Sequence, residues 1–256
     1  MNRRMFLGMT AGIGLTGLSG CGSVLASVPA PELSQDKLES GGWTLIDEQD
    51  KNMFTESYSG ATVSAAAHTL TYEDSDLTAQ ITERTLDTVS AQMAVFFASR
   101  VDFSPSLDNM PAGAGRKEVM EETKQTAKDN FEQRLKDGGL VEIAEGDTSS
   151  FTPETGEEGD LVEYTATYPF EGFSFDVTDE KSVTVEGEDI VINGWLAIWH
   201  HDDSILISGG AAPGTNYAET IEKELSAGVS VTVDIDLGLH PASYRDEIFS
   251  LMRTVS

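Results

Sequence analysis

Leu161-Val-Glu-Tyr-Thr-Ala-Thr-Tyr-Pro-Phe170 decides the fold class. Val162, Tyr164, Ala166, Tyr168 and Phe170 recur at every second position, the period of a strand with one buried and one solvated face. Phe173, Phe175 and Val177 continue the pattern, and Val183-Thr-Val185 adds a further extended run. Ile190 to Trp199 is almost wholly apolar, as a strand flanked on both sides would be, and Ile205 to Ser208 pairs back across a polar tip, His200-His-Asp-Asp203. Downstream, Val229, Val231, Val233, Ile235 and Leu237 alternate with Ser230, Thr232, Asp234 and Asp236. Connections of hairpin length between such runs predict a mostly antiparallel sheet.

Working outward, Trp43 to Tyr58 and Thr62 to Tyr72 read as strands across a turn at Ser59-Gly60, and Ala94 to Phe103 as a buried strand. A short helix fits Gln35 to Ser40. Asp76 to Val89 is readable either way, because its threonines favour extension while Ile81, Leu86 and Val89 recur near helical spacing. From Arg116 to Asp137 six bases and six acids surround a stripe of Met120, Thr123, Ala127, Phe131 and Leu135, an amphipathic helix stopped by Gly138-Gly139. Glu145 to Asp160 reads as an acidic loop, Thr215 to Gly228 as a helix with a glycine end, and Pro241 to Val255 as a closing helix. The expectation is one α+β domain over residues 33–256, a mostly antiparallel sheet with helices packed on one face.

The first 32 residues read as an address. Arg3-Arg4-Met5-Phe6-Leu7 has the twin-arginine pattern, followed by a modestly apolar stretch to Leu18 that holds four glycines and no charge, too short and too glycine-rich to span a membrane. Leu18-Ser19-Gly20-Cys21 has the form of a lipobox, in which cleavage precedes a cysteine whose sulfur carries lipid. Residues 1–20 are thus expected to be a signal segment and 21–32 a lipidated tether. The implied partners are the twin-arginine translocase during export and then the extracellular face of the cell membrane. Cys21 is the chain's single cysteine, so neither a disulfide framework nor a cysteine-built metal site is available.

The formal net charge is -28; from Cys21 onward 14 bases face all 44 acids, leaving -30. A compact state so charged repels itself in dilute buffer, whereas at molar salt the screening length falls to about 3 Å and the repulsion fades. With eight lysines and eight arginines in all, nucleic acid and anionic substrates are poor partners.

His200, His201, Asp202 and Asp203 form the one cluster with metal-ligand chemistry, yet neighbours in a strand point to opposite faces, and a polar hairpin tip between two apolar strands, with no ligand, is the better reading. Asp234-Ile-Asp-Leu-Gly238 begins like a calcium loop but lacks the third acid and sits in an alternating strand, so a solvated strand face is the better reading. Ala112-Gly-Ala-Gly-Arg-Lys117 lacks the glycine spacing and the Lys-Ser/Thr pair of a phosphate loop, and reads as a helix start after a loop. Trp43, Trp195 and Trp199 are expected in the core. No cofactor and no catalytic motif is implied.

Gly42-Trp43, Gly60-Ala-Thr-Val63 running to Tyr72, Ala94-Val-Phe-Phe-Ala98 ending at Phe103-Ser-Pro105, and Ile205 to Pro213 occur in an order that resembles a family of haloarchaeal, twin-arginine-exported lipoproteins known only as a domain of unknown function. The resemblance covers residues 33–228 and implies a shared fold, with no functional residue to carry over. The chain departs from it by the acidic segment 145–160 and by the tail 229–256, which reads as an addition, and Ala211-Ala212 replaces the tyrosine of a family turn. Together these readings describe a non-enzymatic binding or envelope lipoprotein, the alternatives being a transporter's solute-binding lipoprotein and a surface enzyme without a recognisable motif. Dialysis of the purified chain from molar to dilute salt is expected to unfold it; a melting temperature indifferent to ionic strength would defeat the halophile reading.

Overall fold

The computed structural model describes residues 28–58, 61–107 and 116–256. The twin-arginine motif, the lipobox with Cys21, the turn at Ser59-Gly60 and the glycines of the 112–115 loop lie outside them. Seven strands, β1 (Trp43–Tyr58), β2 (Ala61–Asp74), β3 (Val95–Ser104), β4 (Val141–Phe151), β5 (Gly159–Phe170), β8 (Glu188–His201) and β9 (Ser204–Pro213), form a sheet in the order β1-β2-β3-β9-β8-β5-β4. Every pairing in it is antiparallel. Two hairpins stand apart, β6 (Phe173–Thr178) with β7 (Lys181–Val185) and β10 (Ala218–Ser226) with β11 (Val229–Asp236). The helices are α1 (Gln35–Ser40), α2 (Ser75–Arg84), α3 (Arg116–Asp137) and α4 (Pro241–Arg253). No helix among the described residues is long and apolar enough to cross a membrane.

The helices do not share one face of the sheet, and the reason is visible in two consecutive residues of β8. A Cβ on Gly194 would meet Phe131 of α3 at 3.2 Å, whereas Trp195 packs its ring against Phe249 of α4, with centroids 5.7 Å apart. Neighbouring strand residues face opposite ways, so α3 and α4 lie on opposite faces. α3 buries Val119, Thr123, Ala127, Phe131 and Leu135 at helical spacing. On the other face α4 buries Ile248, Phe249, Leu251 and Met252, and Lys37 of α1 donates to the carbonyl of Ser250. Trp43, Trp195 and Trp199 are all buried.

Three local readings change. The ambiguous segment at 76–89 is helical from Ser75 to Arg84 because Asp74 caps it, accepting from the Leu77 amide at 2.8 Å. Its threonines return their hydroxyls to the helix, Thr82 to the Thr78 carbonyl and Thr85 to that of Ile81, which removes their objection to the helix. The acidic stretch expected as a loop from Glu145 is strand β4 as far as Phe151, paired with β5. It is an edge strand with two register shifts and only Phe151 buried, so no alternation marks it. The segment expected as a helix at 215–228 is β10, where Ile221 opposes Val233 and Gly228, at φ +84°, turns the chain into β11. Pairing with a strongly alternating partner outweighs the helix propensity of Glu222-Lys-Glu-Leu225.

Packing begins inside the segment read as tether: Val28 is buried, and Glu32 and Ser256 exchange two backbone hydrogen bonds, at 2.7 and 3.2 Å.

Two acids, Asp74 at the start of α2 and Glu247 on α4, are perturbed by burial. Burial raises the pKa of Asp74, opposed by the Leu77 amide, and burial likewise raises that of Glu247, opposed by the Trp43 indole that donates to it at 2.7 Å. Burial, aided by Asp74 and Glu247, pushes the Tyr244 phenol up to about 12. A carboxyl whose folded pKa exceeds its unfolded one binds its proton more tightly in the folded state, so its contribution turns unfavourable as pH rises through the folded value. Glu247→Gln keeps an acceptor for Trp43 and removes that cost. The variant is expected to melt above the native protein at pH 7, with the difference closing as pH falls toward about 4; a difference independent of pH would contradict it.

Candidate functional site: the cleft beneath α3

The C-terminal half of α3 crosses a floor of small side chains. Thr69 and Ser99 sit side by side on β2 and β3 with their hydroxyls 2.6 Å apart, and Ala211 continues the floor on β9. Large residues descend from the helix onto it: Phe131 meets Phe97 with ring centroids 5.8 Å apart and Tyr164 edge-on at 5.0 Å. A bulky helix face over a small-residue floor leaves space on both sides of the aromatic contact. One cavity, of about 230 Å³, opens toward β1 past Gln49, Lys51 and Thr69. The second, of about 320 Å³, runs toward the C-terminal end of α3 between Leu135, Leu140, Tyr168 and Ile192. Phe97, Phe131, Arg134 and Asp137 line both.

Arg134 is the unusual member. It donates from Nη1 to Thr71 Oγ1 at 3.1 Å, and its guanidinium lies 5.4 Å from the centroid of Phe97. Burial lowers its pKa, while Asp47 and then Asp137 act the other way and favour the charge. Neither acid is in ion-pair contact with it among the described residues; Asp137 instead accepts from the Gln133 amide at 2.8 Å. The guanidinium has five N–H donors, and among the described residues one hydrogen bond, to Thr71, engages them.

The cluster named from sequence is not brought together. His200 and His201 leave β8 on opposite faces, paired with Ile205 and Ser204. His200 Nδ1 is 3.9 Å from Glu157, and His201 Nε2 is 3.8 Å from Asp202, which occupies the hairpin tip at φ +51°. No group of three or more His, Cys, Asp or Glu residues able to hold a metal occurs among the described residues. Asp234 and Asp236 are engaged within the β10–β11 hairpin and its flanks: Asp234 accepts from Thr220, and Asp236 from Asn216 and the Gly238 amide, which lower its pKa. Asp74 and Glu247, the two carboxyls raised by burial, are occupied by a helix cap and an indole.

Sequence reasoning passed over Arg134 as one of six bases on a balanced helix. The available signal was its place three residues after Phe131, at the margin of the buried stripe.

No curated protein and no solved structure matches the chain. A family model does match, over residues 30–256, so the segment from Val229 onward is part of the family's domain and not an addition to it. The chain belongs to a family defined as a domain of unknown function, DUF6517.

Proposed function

We propose that this chain is a lipoprotein exported through the twin-arginine route and held by Cys21 on the outer face of the cell membrane of a salt-loving archaeon, where its domain binds a small molecule in the cleft beneath α3. The address rests on the spacing of Arg3-Arg4, the short apolar run and the Leu18 to Cys21 lipobox, and the salty milieu rests on the net charge of -28. A cysteine carrying a two-chain lipid holds firmly, since each buried methylene contributes about 0.8 kcal/mol.

Binding is carried by one observation: two adjoining cavities, about 230 and 320 Å³, that share aromatic walls and a half-buried guanidinium with no ion-pair partner among the described residues. Apolar walls supply the driving force, and a few fixed polar groups orient what enters.

Replacing Cys21 with Ser is expected to release the protein from membranes into the medium, and retention on membranes counts against lipid anchoring. For the domain, saturation-transfer NMR against a panel of neutral, anionic, cationic and zwitterionic amphiphiles of six to ten carbons should detect at least one binder. Ala211→Leu, which places side-chain volume in the larger cavity, should abolish that signal; silence across the panel ends the binding reading.

A further inference from the structure

Two opposite charges line the same cleft and, among the described residues, do not form an ion pair with each other. Arg134 and Asp137 stand three residues apart on α3, a spacing at which such a pair ordinarily meets. Here they do not, because Arg134 turns down onto Phe97 and Thr71 while Asp137 accepts from Gln133. The larger cavity therefore has a cationic point and an anionic point near the helix, and an apolar body formed by Phe97, Leu135, Leu140, Tyr168 and Ile192.

A pair of unlike charges beside an apolar pocket is matched by a molecule that carries both charges at one end and a hydrocarbon at the other. A purely anionic ligand would satisfy Arg134 but meet Asp137, with Asp47 also nearby, under a chain of net charge -28. A purely cationic one would be drawn in by the field yet bring its charge against the guanidinium. A zwitterion is neutral overall and meets no long-range repulsion, so the acidity that disfavours anionic partners does not disfavour it. Its carboxylate reaches the free N–H groups of Arg134, where a charge-assisted pair forms in a partly desolvated setting. Its ammonium takes the Asp137 oxygen that Gln133 leaves open.

Resting on the binding reading above, we infer that the cleft selects small apolar zwitterions, the chemistry of a free aliphatic or aromatic amino acid, with Arg134 holding the carboxylate and Asp137 the ammonium. The cavity of about 320 Å³ is of the size such a molecule needs.

The test compares three matched probes on the unaltered full chain in molar KCl: L-leucine, 4-methylpentanoate, which lacks the ammonium, and 3-methylbutylamine, which lacks the carboxylate. Calorimetry or NMR titration is expected to show leucine binding about tenfold or more tightly than either single-charge probe. Arg134→Gln should weaken leucine about tenfold and leave 3-methylbutylamine unchanged, while Asp137→Asn should weaken leucine and leave 4-methylpentanoate unchanged or improved. Arg134→Lys should restore part of the leucine affinity. Equal binding of all three probes, or a preference for a single-charge probe, overturns this inference while the cleft remains a binding site. Failure of these probes together with the whole amphiphile panel removes both. The probe comparison is made on the native chain, so it decides the matter even where a variant fails to fold.

Discussion

The architecture hinges on one strand position without a side chain. Gly194 lies in β8 with Phe131 of α3 above it, and a Cβ there would stand 3.2 Å from both Phe131 and the Tyr164 Cβ. Its neighbour Trp195 does the reverse on the other face, offering a full indole to Phe249 of α4. One strand thus sets how low α3 can sit and what α4 rests on, since the depth of a helix on a sheet is fixed by the volume beneath it. β9 repeats the device in β8's neighbour: a Cβ on Gly210 would meet Ile248 at 3.0 Å, on the α4 face. The three-layer arrangement follows from where these two strands omit side chains and where they carry large ones.

Electrostatics then decides how α3 is tethered along its length. Lys124 reaches Asp160 and Lys128 reaches Glu145, each at 2.6 Å, and Lys51 of β1 donates to Asn130 at 3.1 Å. The helix is neutral in sum, and its lysines join it to the acidic β4–β5 edge. At high ionic strength such partly exposed pairs contribute little, about 0–1 kcal/mol each, so the apolar stripe must hold the helix and the lysines serve to relieve local repulsion. The same screening removes the long-range self-repulsion of the chain. Contact pairs support the fold and long-range repulsion opposes it, so the weakening of both by salt acts on stability in opposite senses.

Much of this was legible in residue order, and the exceptions share a cause. Leu161 to Phe170, Ile190 to Trp199 and the stripe of α3 announce themselves because each buries one face against a layer, and burial imposes a period. β4 was not legible: an exposed, twice-shifted edge strand buries only Phe151 and has no period to show. β10 was misread because its hydrogen bonds are made with β11, and a preference for helix in Glu222-Lys-Glu-Leu225 gives no notice of that partner. The split of the helices between two faces was hidden for a similar reason, since sequence shows that a helix has an apolar side but not which side of the sheet receives it. The site was the least legible part. What distinguishes Arg134 from the other bases of α3 is Thr71, 63 positions earlier, and Phe97 on β3.

The cleft has a physical origin in its floor. Thr69, Thr71 and Ser99 are buried hydroxyl residues on the sheet beneath the helix, and Thr69 and Ser99 satisfy one another at 2.6 Å. Branched aliphatic residues at those places would rise to meet α3 and close the gap, as the sheet does farther along, where Val119 and Thr123 are fully buried. Hydroxyls keep the floor low and tolerable to solvent, so the space beside Phe131 does not have to be sealed as a dry void. Under the binding proposal, an apolar group entering beside Phe97, Leu135 and Ile192 would gain burial against them. Orientation would then fall to Arg134 and Asp137. Arg134 is held by Thr71 and by the Phe97 ring, so its guanidinium would need little rearrangement to meet a ligand, and little of that interaction would be lost to ordering.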